Sequence, residues 1–282
     1  MPTLRYVVAD VFTDTPLEGN QLAVFTDGRD LDGETMQALA RETKFSETVF
    51  VLPTEAEADV RIRIFTPAAE IPFAGHPTLG TAFVLGMPLQ KPVIRIETGN
   101  GVVPVELERE GARIVFGRMQ QPIPSVEAYD DPDELLGALG VAESKLPVEV
   151  YDNGLRHVYV CLGSEEDVAA VKPDLERLAR NGAALTANCF AGEGRRWKTR
   201  MFAPGGGVPE DPATGSAAGP LALHVARHGL APFGEEIEIS QGAEIDRPSK
   251  LYARVEGSAE NVERVEVGGS VVVVARGEFR LP

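Results

Sequence analysis

The 282-residue sequence predicts an α+β protein of two similar domains, on three observations: length, an internal repeat, and short β-branched runs alternating with a few helical patterns. A chain of this length suggests about two domains, each able to bury a core. The repeat matches IFTPAAEIPFAGHPTLG, carrying Phe65, Pro67, Ile71 and Pro72, to MFAPGGGVPEDPATGSAAG, carrying Phe202, Pro204, Val208 and Pro209, at a constant offset of 137. Each segment runs into a helix rich in small and apolar residues, after a short gap. Two related α+β domains are the economical architecture.

In chain order, LRYVVADVF reads as a strand, TPLEGN as a turn and QLAVF as a second strand. GETMQALARET reads as a helix capped by Asp32, with Met36, Leu39 and Ala40 on one stripe. Strands SETVFVLP and DVRIRIF follow, then the apolar tail of TPAAEIPFAGHPTLGTAFVL as a buried helix. VIRIETG and GVVPVELE form a hairpin through Asn100-Gly101. The Pro- and acid-rich QQPIPSVEAYDDPDELLGALG reads as a link and then a surface helix. Domains are therefore expected over 1–119 and 120–282, with the final strand near 270–282 allowed to return to the first.

Composition narrows the function classes. A hydrophobic fraction of 43% with 25% charged residues is that of a folded, globular chain. The net charge of −16 argues against nucleic acid or an anionic membrane surface as partner. No run approaches a membrane span, and the start lacks the pattern of a secretory signal, so the expected location is cytoplasmic. Cys161 and Cys189 have neither disulfide-framework nor C-x-x-C spacing. Cys161, inside HVYVCLG, reads as a small buried hydrophobe.

Chemistry concentrates at two helix starts. In HPTLG, Pro77 fits a first turn, where a missing N–H costs nothing; in TGSAAG, Thr214 is a good N-cap. If the domains face each other, two helix N-termini could hold a small carboxylate-bearing molecule.

GNQLAVF, KFSETVFV, FAGHPTLGTA and RMFAPGGGVPEDPATGSA together resemble the signature segments of the PhzF-like (phenazine biosynthesis protein-like) isomerase family, in order and spacing across the chain. The resemblance implies a diaminopimelate epimerase-like fold: two similar domains, each a mostly antiparallel sheet wrapped around a central helix, with the active site between them. It implies a catalytic glutamate at Glu47, histidine at His76 and aspartate at Asp211. It implies substrate contacts at Asn20, Gly75, Thr214, Gly215 and Ser216, no metal or other cofactor, and a homodimer, to which edge-prone strands such as SVVVVARGEF lend support. Where the epimerase branch uses two cysteines, this chain has Ala74 and Thr214, which excludes a two-thiol racemisation. Gln21 stands where proline is common in the family, a departure that bears on local substrate contacts.

Each residue also has a plainer reading. Glu47 could be a solvated strand-end carboxylate, His76 a packed histidine, and Asp211 an acidic partner of a helix dipole worth about 0.3–1 kcal/mol. His224 and His228 are four apart on a helical pattern, but Val225 replaces the Glu of H-E-x-x-H and no third ligand is evident, so His228 reads as a helix-terminal cation before Gly229. Gly205, Gly206 and Gly207 lack the Lys and Ser/Thr of a phosphate loop and read as a flexible turn. Ser216 matches a nucleophile elbow only loosely, because Thr214 and Ala218 stand where glycine is needed. The expected function is cofactor-independent proton transfer between carbons of a small carboxylate-bearing substrate. The alternatives are an epimerase or racemase with a second base, a catalytically inactive binding protein and, behind both, a Ser216 hydrolase.

Overall fold

A computed structural model describes residues 3–180 and 185–281. The chain begins with β1 (Thr3–Val11), β2 (Asn20–Phe25), α1 (Gly33–Thr43), β3 (Glu47–Leu52), β4 (Val60–Phe65) and the two-residue β5 (Glu70–Ile71). Then come α2 (Gly75–Leu89), β6 (Val93–Thr98), β7 (Gly101–Glu110) and β8 (Arg113–Gln121). β9 (Ser125–Ala128), α3 (Pro132–Leu139), β10 (Glu149–Asp152), β11 (Arg156–Cys161), α4 (Glu165–Ala170), α5 (Leu175–Ala179) and β12 (Leu185–Glu193) follow. The chain continues through β13 (Arg196–Ala203), β14 (Val208–Asp211), α6 (Gly215–Arg227), β15 (Glu236–Gln241), β16 (Ser249–Gly257), β17 (Val262–Gly269) and β18 (Val271–Arg280). It divides into two compact units, one holding the chain through Gln120 and again from Gly268, the other Gln121–Val267.

In the first unit β1 pairs antiparallel with both β18 and β2; β2–β3 is parallel, β3–β4 antiparallel, β4–β6 parallel and β6–β7 antiparallel. In the second unit β10 pairs antiparallel with both β9 and β11; β11–β12 is parallel, β12–β13 antiparallel, β13–β15 parallel and β15–β16 antiparallel. The two lists of orientations are identical. The repeat read in the sequence is therefore a repeat of topology, and the fold is the expected α+β class.

Each sheet curls around a helix apolar on nearly every side, and so buried. α2 packs on β1, β2, β3, β6, β7 and β18, and Gly80 lets it approach closely: a Cβ there would lie 2.6 Å from Leu22 Cδ2 and 2.8 Å from Val11 Cγ2. α6 packs on β11 and β16 and is buried from Gly215 to Ala226. Among the described residues no helix is long and apolar enough to cross a membrane.

Local chemistry explains the elements. Asp32 caps α1, accepting from Thr35 N at 2.8 Å. Asn100-Gly101 turns the β6–β7 hairpin, with Gly101 at φ 106°. Three details differ from the sequence reading. The link contains the strand β9, and α3 is more than a surface helix: Leu135, Ala138 and Leu139 are buried in the second unit's core. Thr214 does stand at the N-cap, but its hydroxyl caps nothing; it donates to the Asp211 carboxylate, a charged and therefore stronger acceptor.

Candidate active site

In the first unit the structure brings together Asn20, Glu47 and His76. Parallel pairing of β2 with β3 sets Leu22 opposite Glu47, so the start of each strand lies at one end of the sheet. α2 begins there too, with His76 its second residue. Asn20 Nδ2 lies 3.2 Å from His76 Nδ1, and His76 Nε2 lies 3.4 Å from Glu47 Oε2. Glu47 keeps 13% of its side chain exposed against 3% for His76, and the oxygen that meets the ring, Oε2, is itself buried.

Burial pushes His76 down to about 3, against a smaller opposing effect of a hydrogen bond with the Gln21 backbone. The imidazole is neutral at physiological pH, and its contact with Glu47 is a polar contact rather than an ion pair. A neutral neighbour does not quench the basicity of a carboxylate as a cation would. Gly75 opens α2 beneath an N-cap, Ala74, with no capping side chain, and no acid stands in the first turn. Such a start leaves backbone N–H donors for an anion.

In the second unit Asp211 ends β14 and is 4% exposed. Its strand is anchored by Glu210, which takes a two-pronged pair from Arg200 with Nε–Oε1 and Nη2–Oε2 both at 2.8 Å. The remaining Arg200 nitrogen, Nη1, donates to the carbonyls of Ala169 at 3.0 Å and Val171 at 2.8 Å. Thr214 Oγ1 donates to Asp211 Oδ2 at 2.6 Å. Gly215 and Ser216 form the first residues of α6, again with no capping side chain and no acid in the first turn. Ser216 is 3% exposed, and among the described residues no histidine hydrogen-bonds to it.

The sequence reading missed the amides and phenol that brace this helix start. Gln121 Nε2 donates to the Gly215 carbonyl at 2.7 Å, Asn153 Nδ2 to Ser216 at 2.8 Å, and Tyr159 Oη to Ala217 at 2.6 Å. The middle bond has a cause in the sequence: Pro220 has no N–H, so the Ser216 carbonyl lacks its helical donor.

It also missed a third polar group beside the two helical histidines. Glu149 Oε2 lies 3.2 Å from His224 Nδ1 and 3.0 Å from His228 Nε2, a set of atoms that could meet a metal ion. The same oxygen accepts from Tyr151 Oη at 3.0 Å and lies 3.5 Å from Arg227 Nη1. A dication there would face a fixed guanidinium, and the cluster reads instead as a knot tying the end of α6 to β10. The cysteines are inert: burial raises Cys161 to about 11 and Cys189 to about 12.

The phenazine biosynthesis-like protein family profile matches residues 9–277. The chain is 54% identical over 277 residues to the trans-2,3-dihydro-3-hydroxyanthranilate isomerase of Pseudomonas aeruginosa, covering 98% of this chain and 99% of that one. It is 50% identical to the enzyme of the same name from Pseudomonas fluorescens, with the same coverage. A crystal structure of a Bacillus anthracis phenazine biosynthesis protein of the PhzF family superposes with a TM-score of 0.87 at 26% identity, covering both chains fully.

Proposed function

The chain belongs to the phenazine biosynthesis-like protein family and is an isomerase, and on that premise we propose that it moves a proton between two carbons of a small carboxylate-bearing substrate, with Glu47 as the single base. The observation that supports this most directly is the partly exposed Glu47 side chain, whose Oε2 lies 3.4 Å from a buried, neutral His76. Glu47 takes a proton from an activated carbon and returns it to another carbon of the same molecule; His76, steadied by Asn20, orients and polarises. Asp211 and Thr214 hold the ligand by hydrogen bonds. The backbone N–H groups of Gly75, Gly215 and Ser216 stabilise carboxylate and developing negative charge, each well-placed donor contributing about 3–4 kcal/mol. The relatives' name supplies the first substrate to try, trans-2,3-dihydro-3-hydroxyanthranilate. No metal or organic cofactor takes part, and the working form is a homodimer.

The test is turnover of that compound in deuterated water. A constitutional isomer carrying solvent deuterium on carbon supports the reading. A stereoisomer turns it into an epimerase, and binding without exchange turns it into an inactive binding protein. Loss of turnover on chelation, restored by one metal, removes cofactor independence. A monomeric mass at micromolar concentration removes the dimer.

A further inference from the structure

Gln241, the last residue of β15, is 2% exposed and its amide spans the turn that carries Asp211. Its Oε1 accepts from the Thr214 N–H at 3.0 Å; its Nε2 donates to the Asp211 carbonyl at 2.8 Å and to Thr214 Oγ1 at 3.0 Å. The neighbours fix this orientation of the amide. A backbone N–H can only donate and a carbonyl can only accept, so oxygen must face the one and nitrogen the other. Thr214 Oγ1, already accepting from Nε2, turns its own hydrogen to Asp211 Oδ2, 2.6 Å away. The donors therefore run one way, from Gln241 through Thr214 into the carboxylate.

The next residue holds the clamp in place. Gly242 has φ 82°, and a Cβ there would collide with the carbonyls of Arg247 and Pro212, so the end of β15 abuts the Asp211–Thr214 turn in a way that glycine permits. We propose that Gln241 is a positioning residue: it sets the direction of the Thr214 hydroxyl and thereby the orientation in which Asp211 meets the ligand. The proposal rests on the isomerase reading only for its choice of probe ligand.

Gln241→Met keeps length and volume but removes all three hydrogen bonds. Affinity for trans-2,3-dihydro-3-hydroxyanthranilate is measured by calorimetry in a Glu47→Gln background, where binding is read apart from proton transfer. At a temperature where circular dichroism shows a folded chain, Gln241→Met is expected to weaken binding at least about tenfold. Adding Asp211→Asn should then cost nothing further, since one residue acts through the other. Wild-type affinity in folded Gln241→Met, or independent multiplying losses, overturns the proposal. A crystal structure of Gln241→Met, or of Thr214→Val beside Thr214→Ser if the former does not fold, reads the proposal without any ligand. The Asp211 carboxylate should turn from its native orientation in the Met and Val variants and keep it in the Ser variant; an unmoved carboxylate overturns the proposal. Failure of the isomerase reading shows separately, as wild-type turnover by Glu47→Gln or as no binding by the parent enzyme.

Discussion

The two units share a topology and differ in what they place at the start of their central helices. α2 begins beside a titratable pair, Glu47 and His76, in which the Glu47 side chain remains partly exposed. α6 begins within a network of neutral donors, Gln241, Gln121, Asn153 and Tyr159, around the single carboxylate of Asp211. Proton transfer needs a group whose protonation state can change without dismantling its surroundings. Holding a ligand needs groups whose hydrogen-bond directions cannot change. One topology, used twice, supplies both conditions because the helix start is fixed by the sheet while the residues lining it are open to variation.

The largest test of this division is Glu47→Gln, which keeps size but cannot accept and return a proton. Turnover and solvent-deuterium exchange should fall at least about 10²–10⁴-fold with affinity little changed. Near wild-type exchange would make Glu47 structural and move the shuttle elsewhere. Asp211→Asn should raise KM and lower kcat together, by about 10–100-fold in kcat/KM, as expected for a hydrogen bond to a charged group. An effect on kcat alone would give Asp211 a share in the proton step.

Acid stability separates the units next. Burial holds His76 at about 3 in the first unit, and His157 at about 3 and His224 at about 4 in the second, against an ordinary 6.5. These rings are neutral in the fold, and the unfolded chain binds its proton first. Stability from this source is complete above about pH 6.5 and declines as pH falls towards 4, by up to about 1.4 kcal/mol per pH unit per ring. With two such rings against one, opening free energies from amide exchange should fall about twice as steeply for α6 and β11 as for α2 and β1. Equal slopes would remove this difference.

The smallest expected effect lies within the brace. Asn153→Leu strands the Ser216 carbonyl, which Pro220 already deprives of a helical donor, and should cost about 1–3 kcal/mol. Gln121→Leu should cost less, because the Gly215 carbonyl still has the Gly219 N–H as its helical donor. The reverse order of melting temperatures would show that the proline does not set the demand.

The repeat was legible because it rests on residues that shape the chain: Phe65 and Phe202 are both buried, and the prolines after them end their strands. β9 was not legible. Three of its four residues are exposed and only Val126 is half-buried, so no apolar alternation marks them. The members of the Glu47–His76 pair could be named from family signatures, but their contact joins residues far apart in sequence. Gln241 and Asn153 carry no spacing signal at all, since a neutral amide looks like any surface amide until its partners are known. Pro220 was the one available clue: a proline within a helical pattern says that some carbonyl needs an outside donor, without saying which residue supplies it. Glu149 was hidden for the same reason, lying 75 residues before His224 in the chain.

The pairing of Thr3 with Arg280 gives the chain a timetable. β18 occupies beside β1 the place that β9 occupies beside β10, but it is made after every strand from β2 to β17. At about 5–20 residues per second, β1 waits roughly 15–50 s for its second neighbour during synthesis. The second unit has its strands from β9 to β17 earlier and can close while the first still presents an unpaired edge. For that interval the newborn chain is half finished, and the edge of β1 is the stretch on which a holding chaperone, or a misplaced strand, would act first.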